Sequence, residues 1–334
     1  MKPLKLSVII PNYNHSRYIF EALDSIVKQS FTPFEVIVCD DASTDNSVEI
    51  IQKFVEKYSY IHLIKNETNI GPIRNCNKLV ALVSGDYLFI QTADDKILPG
   101  FFEKSMNLLQ KYPDAGLCST LVKRIDEDGN PNNINFGVAI IQKDCFIDSK
   151  KAHFLLYTYG TWIAGPSTIY KYSDILENGG FNEKLHGYCD GFLAEVIAVK
   201  KGACFIHEEL SCWRVSNSSY AATTRSNFDF RIETINIATD LMKGIFSDKF
   251  ITTWKVNELF CLEKDRLLFY RDCNLTDIEK TDSGTFLKVM SKFKVNIVFV
   301  FLFVRITIYH VIKHARYINF VKILRSRFQR VLVV

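Results

Sequence analysis

The first 120 residues alternate between short apolar runs and segments with helical periodicity, and this alternation limits the possible fold more than any other feature. Between the first two runs, Ile19, Ala22, Leu23, Ile26 and Val27 recur at the spacing of one helix face. The first runs lack polar alternation, as strands buried on both faces do. Repeated βα units predict right-handed crossovers and a doubly wound, mostly parallel α/β sheet. The predicted strands are 6–10, 34–39, 61–65, 86–91, 115–120 and 204–208, and the later predicted helices are 72–84, 100–111 and 189–200.

The composition is that of a globular protein with reduced cysteines. The chain has 334 residues, of which 48% are hydrophobic and 23% charged, enough for one large domain or two. Its nine cysteines form an odd set without a C-x-x-C pair. This pattern argues against a disulfide framework or a zinc ribbon and favours thiols in the cytosol. The apolar run near the first residue is too short for a secretory signal.

Positive charge is concentrated in the last 52 residues, 283–334, which hold five Lys, five Arg and no acidic residue. Such a block is typical of a surface for nucleic acid or anionic lipid. The apolar run 295–304 is short for a membrane-spanning helix, and Arg305 interrupts its continuation. We expect a pair of helices on an anionic membrane surface and no nucleic-acid partner. A true span, or a helix packed on protein, is the alternative.

Polar clusters follow three of the predicted strands. They are Pro11 to Asn14, Asp40 to Asp45, and the pair Asp94 and Asp95. The carboxyl ends of parallel strands share one edge of a sheet, which is where such sheets bind ligands. Adjacent carboxylates repel unless a cation or a proton lies between them. A helix cap in a solvated turn would explain any one cluster, but it does not account for three on one edge. No G-x-G-x-x-G follows the first strand, and the chain has no phosphate loop of the G-x-x-x-x-G-K-[ST] type.

The sequence resembles the inverting nucleotide-sugar glycosyltransferases of family 2, which have the GT-A fold. The resemblance runs through "SVIIPNYNHSRYIFEALDSIVKQSFTPFEVIVCDDASTDNS", "NIGPIRNCNKLVALVSGDYLFIQTADD", "GGFNEKLHGYCDGFLAEV" and "CWRVSNSS". It covers roughly residues 5–220. It implies a nucleotide-sugar half at 1–120 and an acceptor half at 121–220. Residues 221–282 are predicted to form a helical extension, followed by the basic tail.

The resemblance implies a donor site on the strand edge. Pro11 and Tyr13 would line the base pocket, with the Tyr13 ring as a platform. Asp41 would accept a hydrogen bond from a uracil N–H, which a carboxylate does strongly. Asp94 would contact the ribose side, and Asp95 would coordinate Mn²⁺ or Mg²⁺, hard cations that take oxygen ligands.

Three further residues are implied as donor contacts. Asn14 follows the base pocket, and Arg74 would approach the donor pyrophosphate. Arg214 would lie near the diphosphate. For Arg214, a surface arginine beside a core Trp213 is an equally good interpretation.

Inverting transfer needs a base for the acceptor hydroxyl. In the family it is an acid at the start of a helix, often within "ED"; here the matching residues are Cys189 and Asp190, so the first acid is missing. Asp190 is therefore the candidate base, with a helix cap as its alternative role. Glu183 and Glu195 are the fallback candidates. Glu183 belongs to a turn, and Glu195 is expected to face solvent or an ion pair.

The function expected from these residues is transfer of one sugar from a nucleotide-sugar, with UDP as the expected nucleotide. No Q-x-x-R-W element of the processive synthases is present. The expected acceptor is a saccharide linked to polyprenyl diphosphate, in capsule or O-antigen synthesis. The expected location is the inner face of the cell membrane. The alternatives are a sugar nucleotidyltransferase, which should have a Gly-rich basic loop after the first strand, and a non-catalytic sugar-binding scaffold on the membrane.

Overall fold

The computed structural model describes residues 4–132, 141–216 and 219–272. The chain divides into two compact units, Met1–Arg266 and Leu267–Val334. The fold and the candidate site described below belong to the first unit. The predicted basic tail lies outside the described residues.

The sheet of the first unit has nine strands among the described residues. In chain order they are β1 Leu6–Asn12, β2 Glu35–Asp40, β3 Ile61–Lys65, β4 Tyr87–Ile90, β5 Lys96–Ile97, β6 Leu117–Ile125, β7 Cys145–Ile147, β8 Ile169–Lys171 and β9 Ala203–Arg214. Their spatial order is β3-β2-β1-β4-β8-β6-β9-β5, and β7 also pairs with β9. Strands β1 to β4 are parallel, as predicted, and so are β6 and β9.

Ten α-helices are present in the described residues. They are α1 Ile19–Val27, α2 Ser47–Lys57, α3 Pro72–Val80, α4 Phe101–Lys111, α5 Ser149–Tyr159, α6 Tyr172–Glu177, α7 Cys189–Lys201, α8 Tyr220–Ser226, α9 Phe228–Met242 and α10 Asp248–Asp272. Two 3₁₀ segments, Gly165–Ser167 and Glu183–Tyr188, precede β8 and α7.

The helices cover both faces of the sheet, and the alternation within β1 shows how. Val8 and Ile10 pack in one core with α1, α2 and α4, whereas Ile9 packs in the other with α3, α5 and α7. Side chains alternate across a strand, so a strand between two cores needs apolar residues at every position. The three consecutive apolar residues Val8, Ile9 and Ile10 have this cause. The result is a mixed α/β fold with a mostly parallel open sheet, as the sequence predicted.

The sequence did not indicate β8. This three-residue strand inserts antiparallel between β4 and β6, and so joins the two halves of the sheet. Seven of the cysteines in the described residues are free thiols, namely Cys39, Cys76, Cys118, Cys145, Cys189, Cys204 and Cys212. None of the described helices is both long enough and apolar enough to cross a membrane.

Candidate active site

The polar segments after β1, β2 and β4 lie at one edge of the sheet. In the parallel register Asn12 stands opposite Asp40, and Ile9 stands opposite Ile90. The three strands therefore end side by side, as the sequence predicted. This edge is where open α/β sheets bind ligands.

A hydrogen-bond network fixes the loops after β1 and β2. Asn12 Nδ2 donates to Asp40 Oδ1 at 2.7 Å. Asn14 has a φ of 55°, a conformation that Asn tolerates better than most residues, and its Oδ1 accepts from the Thr44 N–H at 2.8 Å. Asn14 thus uses its side chain to hold the two loops together. Tyr13 beside it is 43% exposed, so its ring is open to a stacking ligand. Pro11 lies in β1 and is partly buried.

Asp41 is a buried carboxylate that holds the start of α3. Its Oδ1 accepts from Asn66 Nδ2 at 2.7 Å and from the Ile70 N–H at 3.0 Å, and its Oδ2 accepts from the Gly71 N–H at 2.9 Å. Gly71 is the N-cap residue of α3 and has no side chain of its own to cap the helix. Asp41, the residue after β2, therefore fixes the backbone just before α3 through the N–H groups of Ile70 and Gly71. A carboxylate has about four acceptor positions, so one on Oδ2 is left for a ligand donor.

Asp94 and Asp95 have different surroundings. Asp95 is 4% exposed, and its Oδ1 accepts from the Arg214 N–H at 2.6 Å while Oδ2 accepts from the Thr92 hydroxyl. Burial raises the pKa of Asp95 well above its usual value, and the adjacent Asp94 carboxylate raises it further. Asp94 is only partly buried. Among the described residues, no hydrogen bond or ion pair reaches its carboxylate. Asp94 is therefore the more accessible of the two carboxylates for a ligand.

The surroundings of Arg214 and Trp213 are the reverse of one of the two interpretations of the sequence, a surface arginine beside a core tryptophan. Arg214 is 3% exposed and forms an ion pair with Glu21 of α1. Trp213 is partly exposed, and the guanidinium of Arg124 lies over its ring. The interpretation of Arg214 as a surface arginine is therefore wrong, because Glu21 and backbone carbonyls replace its solvent.

The segment that precedes α7 is anchored on α3 by Asn77. Its Nδ2 donates to the Phe181 carbonyl at 2.8 Å, and its Oδ1 accepts from the Phe181 N–H at 3.0 Å. Such a two-way pairing fixes both the distance and the orientation of the two segments. Nothing in the sequence marks Asn77, since its role depends on a residue 104 positions away.

Arg74 and Glu183 form a second contact between the same two segments. Arg74 Nε lies 2.8 Å from Glu183 Oε2, and both side chains are largely exposed. The hydrogen bond to Glu183 raises the pKa of Arg74. Exposed ion pairs exchange easily with solvent or a ligand, so Arg74 can turn to another anion. Its predicted approach to a pyrophosphate stays a prediction.

Asp190 lies in the first turn of α7, where a carboxylate is favoured by the helix dipole. Its Oδ1 accepts from the Gly191 N–H at 2.8 Å. Burial raises the pKa of Asp190 above its usual value. Gly165 packs directly against the carboxylate: a Cβ at position 165 would overlap Oδ2 of Asp190 and lie 3.3 Å from its Cγ. The position of the candidate base thus depends on a glycine that the sequence did not single out.

Glu195 does not face solvent or an ion pair, contrary to expectation. It is 4% exposed and accepts a hydrogen bond from the Tyr188 hydroxyl at 2.7 Å. Burial is the main reason that the pKa of Glu195 rises to about 7. The side chain lines a cavity of about 110 Å³ between α5, α7 and α10. This enclosed position makes it a poorer candidate base than Asp190.

The turn at Asp94 and Asp95 suits a hard divalent cation. Carboxylate oxygens are the ligands that Mg²⁺ and Mn²⁺ prefer. Desolvation and the neighbouring charge both disfavour the ionised form of Asp95, and a cation beside the pair would offset both effects. Within the described ranges, no group of three or more His, Cys, Asp or Glu side chains could hold a metal ion.

Comparison with known families identifies the region that carries this site. Residues 7–165 match the model of glycosyl transferase family 2. We call the polar segments after β1, β2 and β4, from Pro11 to Asp95, the donor rim. The match includes all of them and ends before Asp190 and Arg214.

Curated relatives support the same domain. The putative glycosyltransferase EpsE of Bacillus subtilis is 36% identical over 126 residues, covering 37% of this chain and 45% of that protein. The chondroitin synthase of Escherichia coli is 28% identical over 158 residues, covering 47% of this chain and 23% of that protein. The chain thus spans less than half the length of these relatives.

Solved structures share the fold over a longer stretch. Staphylococcus aureus TarS 1-349 in complex with UDP-GlcNAc has a TM-score of 0.62 at 20% identity, covering 77% of this chain and 73% of that one. The mannosyltransferase PcManGT of Pyrobaculum calidifontis, in complex with GDP-Man and Mn²⁺, has a TM-score of 0.55 at 18% identity, covering 78% and 74%. At this identity the likeness establishes the GT-A-like fold.

Proposed function

We propose that this chain is an inverting, metal-dependent glycosyltransferase that moves one sugar from a nucleotide-sugar to a saccharide hydroxyl. One structural observation carries the proposal. Asp41, on the rim, holds the start of α3, and the same helix binds the segment leading to Asp190 through Asn77. The donor rim and the segment leading to the candidate base are therefore both hydrogen-bonded to α3 or the residue that begins it. The match of residues 7–165 to the glycosyltransferase family supports the same conclusion.

Asp190 acts as the general base in this proposal. It takes the proton of the acceptor hydroxyl while the oxygen attacks the anomeric carbon, and a single displacement inverts the configuration. Base catalysis of this kind contributes about 10²- to 10⁴-fold. The raised pKa of Asp190 suits the role, because a carboxylate with a higher pKa is a stronger base.

The donor is a UDP-sugar in this proposal. The exposed ring of Tyr13 stacks on the base, and the remaining acceptor position of Asp41 takes the uracil N–H. Arg74 exchanges Glu183 for the diphosphate. The binding of UDP-GlcNAc by TarS supports a nucleotide-sugar of this class.

The resemblance in sequence assigns the metal to Asp95. Since both oxygens of Asp95 already accept hydrogen bonds, the proposal is instead that the accessible Asp94 carboxylate, with Asp95 behind it, would hold Mn²⁺ or Mg²⁺. Such a cation supplies charge neutralisation for the departing nucleoside diphosphate and often binds through one or two carboxylates plus substrate phosphates. Because Asp94 is accessible and both oxygens of Asp95 already accept hydrogen bonds, the two variants Asp94→Asn and Asp95→Asn separate direct ligation from support of the turn.

The deciding experiment uses purified full-length protein with a panel of UDP- and GDP-sugars and Mn²⁺, measuring release of the nucleoside diphosphate. We expect turnover with a UDP-sugar, dependence on the divalent cation, and loss of turnover in Asp190→Asn. If none of the sugar nucleotides in the panel releases its nucleoside diphosphate, the proposal is refuted.

The acceptor in this proposal is linked to polyprenyl diphosphate at the inner face of the cell membrane, as in capsule or O-antigen synthesis. The basic residues of 283–334 motivate this, since each Lys or Arg near an anionic surface contributes about 1 kcal/mol. Sedimentation with anionic vesicles should therefore be lost in a form that ends at residue 282. It should also weaken with salt. Sedimentation that survives the truncation would refute attachment through this tail.

A further inference from the structure

Arg214 is bound on every side by protein groups. Its Nε donates to the Asp94 carbonyl at 2.8 Å, and its Nη1 donates to the carbonyls of Asp126 and Glu127 at 3.0 and 2.9 Å. Its Nη2 donates to Oε2 of Glu21, with which it forms the ion pair. The ring of Tyr18 lies 4.5 Å from the guanidinium carbon. A guanidinium has five N–H donors, so these contacts use four of them.

The backbone of Arg214 binds the same turn as its side chain. Its N–H donates to Asp95 Oδ1 at 2.6 Å, while its Nε holds the carbonyl of Asp94. Just beyond the turn, β5 pairs with β9, with Lys96 opposite Cys212. One residue therefore fixes the carbonyl of the first aspartate and the carboxylate of the second.

These contacts leave the Asp94 carboxylate as the unconstrained group of the turn. With its carbonyl held by Arg214 and the next residue buried, Asp94 has little backbone freedom, and its side chain lies at the partly exposed side of the turn. The guanidinium of Arg214 is paired with Glu21, which also pairs with the ammonium group of Lys96. A buried arginine whose N–H donors are already bound to protein groups is suited to orient a ligand-binding carboxylate and is poorly suited to bind a diphosphate itself.

We propose that Arg214 is a positioning residue, which aims the Asp94 carboxylate at a divalent cation, and that it is not a ligand of the donor. The inference rests on the proposed function and reassigns Arg214 within it. Residues that orient a metal ligand from behind typically change metal affinity by about 10- to 100-fold when they are replaced. Replacing Arg214 should leave the affinity for UDP unchanged when no metal is present.

The test compares Arg214→Lys with wild-type full-length protein by calorimetry, titrating UDP with and without Mn²⁺ and in the absence of an acceptor. Lysine keeps the charge but cannot hold three carbonyls and Glu21 at once. We expect UDP affinity without metal to be unchanged, and the Mn²⁺-dependent gain to fall by about 10-fold or more. Arg124→Lys is the matched control, because Arg124 lies on the neighbouring strand opposite Trp213 and contacts neither aspartate in the described structure. It should behave as wild type.

Each outcome decides between the two roles. If Arg214→Lys loses UDP affinity equally with and without Mn²⁺, Arg214 is a donor ligand and the inference is overturned. If Arg214→Lys binds UDP as wild type does under both conditions, the inference is overturned as well. If Arg214→Lys does not fold, Glu21→Gln decides. It keeps an acceptor for Nη2 but removes the ion pairs with both Arg214 and Lys96, and a selective reduction of the Mn²⁺-dependent gain is expected. If Glu21→Gln shows no such reduction, the inference is overturned. Wild-type protein that shows no Mn²⁺-dependent UDP binding would refute the metal dependence of the proposed function itself, a result distinct from these.

Discussion

Adding one methyl group at Gly165 tests how closely the fold confines the candidate base. The backbone of Gly165 does not lie in the left-handed region, so alanine meets no conformational strain there. The obstacle is Asp190, whose Oδ2 the new Cβ would overlap, although real Cβ atoms essentially never approach another heavy atom within 3.0 Å. Asp190 must therefore move. A displacement of about 1 Å can reduce turnover about 10²-fold, and we expect a loss of that order for Gly165→Ala.

The cost in stability is measurable as a coupling between the two positions. Overpacking costs about 1–3 kcal/mol. Alanine in place of glycine contributes about 0.4–1 kcal/mol through the unfolded state. Gly165→Ala should then be neutral to destabilising in the wild-type background. In the Asp190→Ala background the overlap is absent, and the same change should stabilise the protein by about 0.4–1 kcal/mol.

Urea denaturation of the four proteins in this double-mutant cycle gives the coupling directly, and UDP calorimetry checks that the donor rim is intact. Additive effects, with a coupling below about 0.5 kcal/mol, would show that Asp190 does not depend on the space at Gly165. Unchanged turnover in Gly165→Ala would refute the assignment of Asp190 as the confined base.

Further predictions concern three carboxylates. Asp190→Asn should bind UDP as wild type does but lose transfer by at least about 10²-fold. Because the base must be ionised and burial raises the pKa of Asp190, the wild-type rate should fall as pH drops through this raised value. Asp41→Ala removes the acceptor of three N–H donors, at about 1–3 kcal/mol for each buried donor left unpaired, so urea denaturation should show a loss of several kcal/mol. Asp41→Ala protein that remains folded should bind UDP more weakly than wild-type protein does. Glu195, with its pKa raised to about 7, holds its proton in the folded state and loses it in the unfolded state, so wild-type stability should decline from about pH 4.5 to pH 7. Glu195→Gln should remove up to about 3 kcal/mol of this decline.

Each of these predictions has a contrary result. Near-normal transfer in Asp190→Asn, together with a large loss in Glu183→Gln, would move the base to Glu183. A rate that is flat down to pH 4 would exclude a buried carboxylate base. Wild-type stability in Asp41→Ala would mean that water replaces its hydrogen bonds. Parallel pH profiles for wild type and Glu195→Gln would show that Glu195 titrates normally.

The donor half of the fold could be predicted from the sequence because its signals are local. Each strand from β1 to β4 is an apolar run, each connecting helix has its own periodicity, and parallel strands must end at the same edge. The rim at Tyr13, Asp41 and Asp94 follows from those rules alone. β8 has only three residues, and its place between β4 and β6 depends on pairing across more than 50 positions of sequence.

The surroundings of the charged side chains could not be predicted in the same way. A charged residue is expected at the surface unless a partner replaces its solvent, and the partners here are remote. Arg214 is buried because Glu21 and three carbonyls meet it, and Glu195 is buried against the Tyr188 hydroxyl. Gly165 and Asn77 carry no local pattern either, since their importance lies wholly in what packs against them.

The pairing of β5 with β9 links completion of the carboxylate turn to a late stage of protein synthesis. Arg214 binds a residue 119 positions earlier, so the ribosome must add that whole stretch before the turn can close. The family match ends at residue 165, well short of this point. A gene cut at that boundary would encode both aspartates together with an unpaired β5. Pulse-labelled chains of that length should be degraded faster than chains that extend beyond β9.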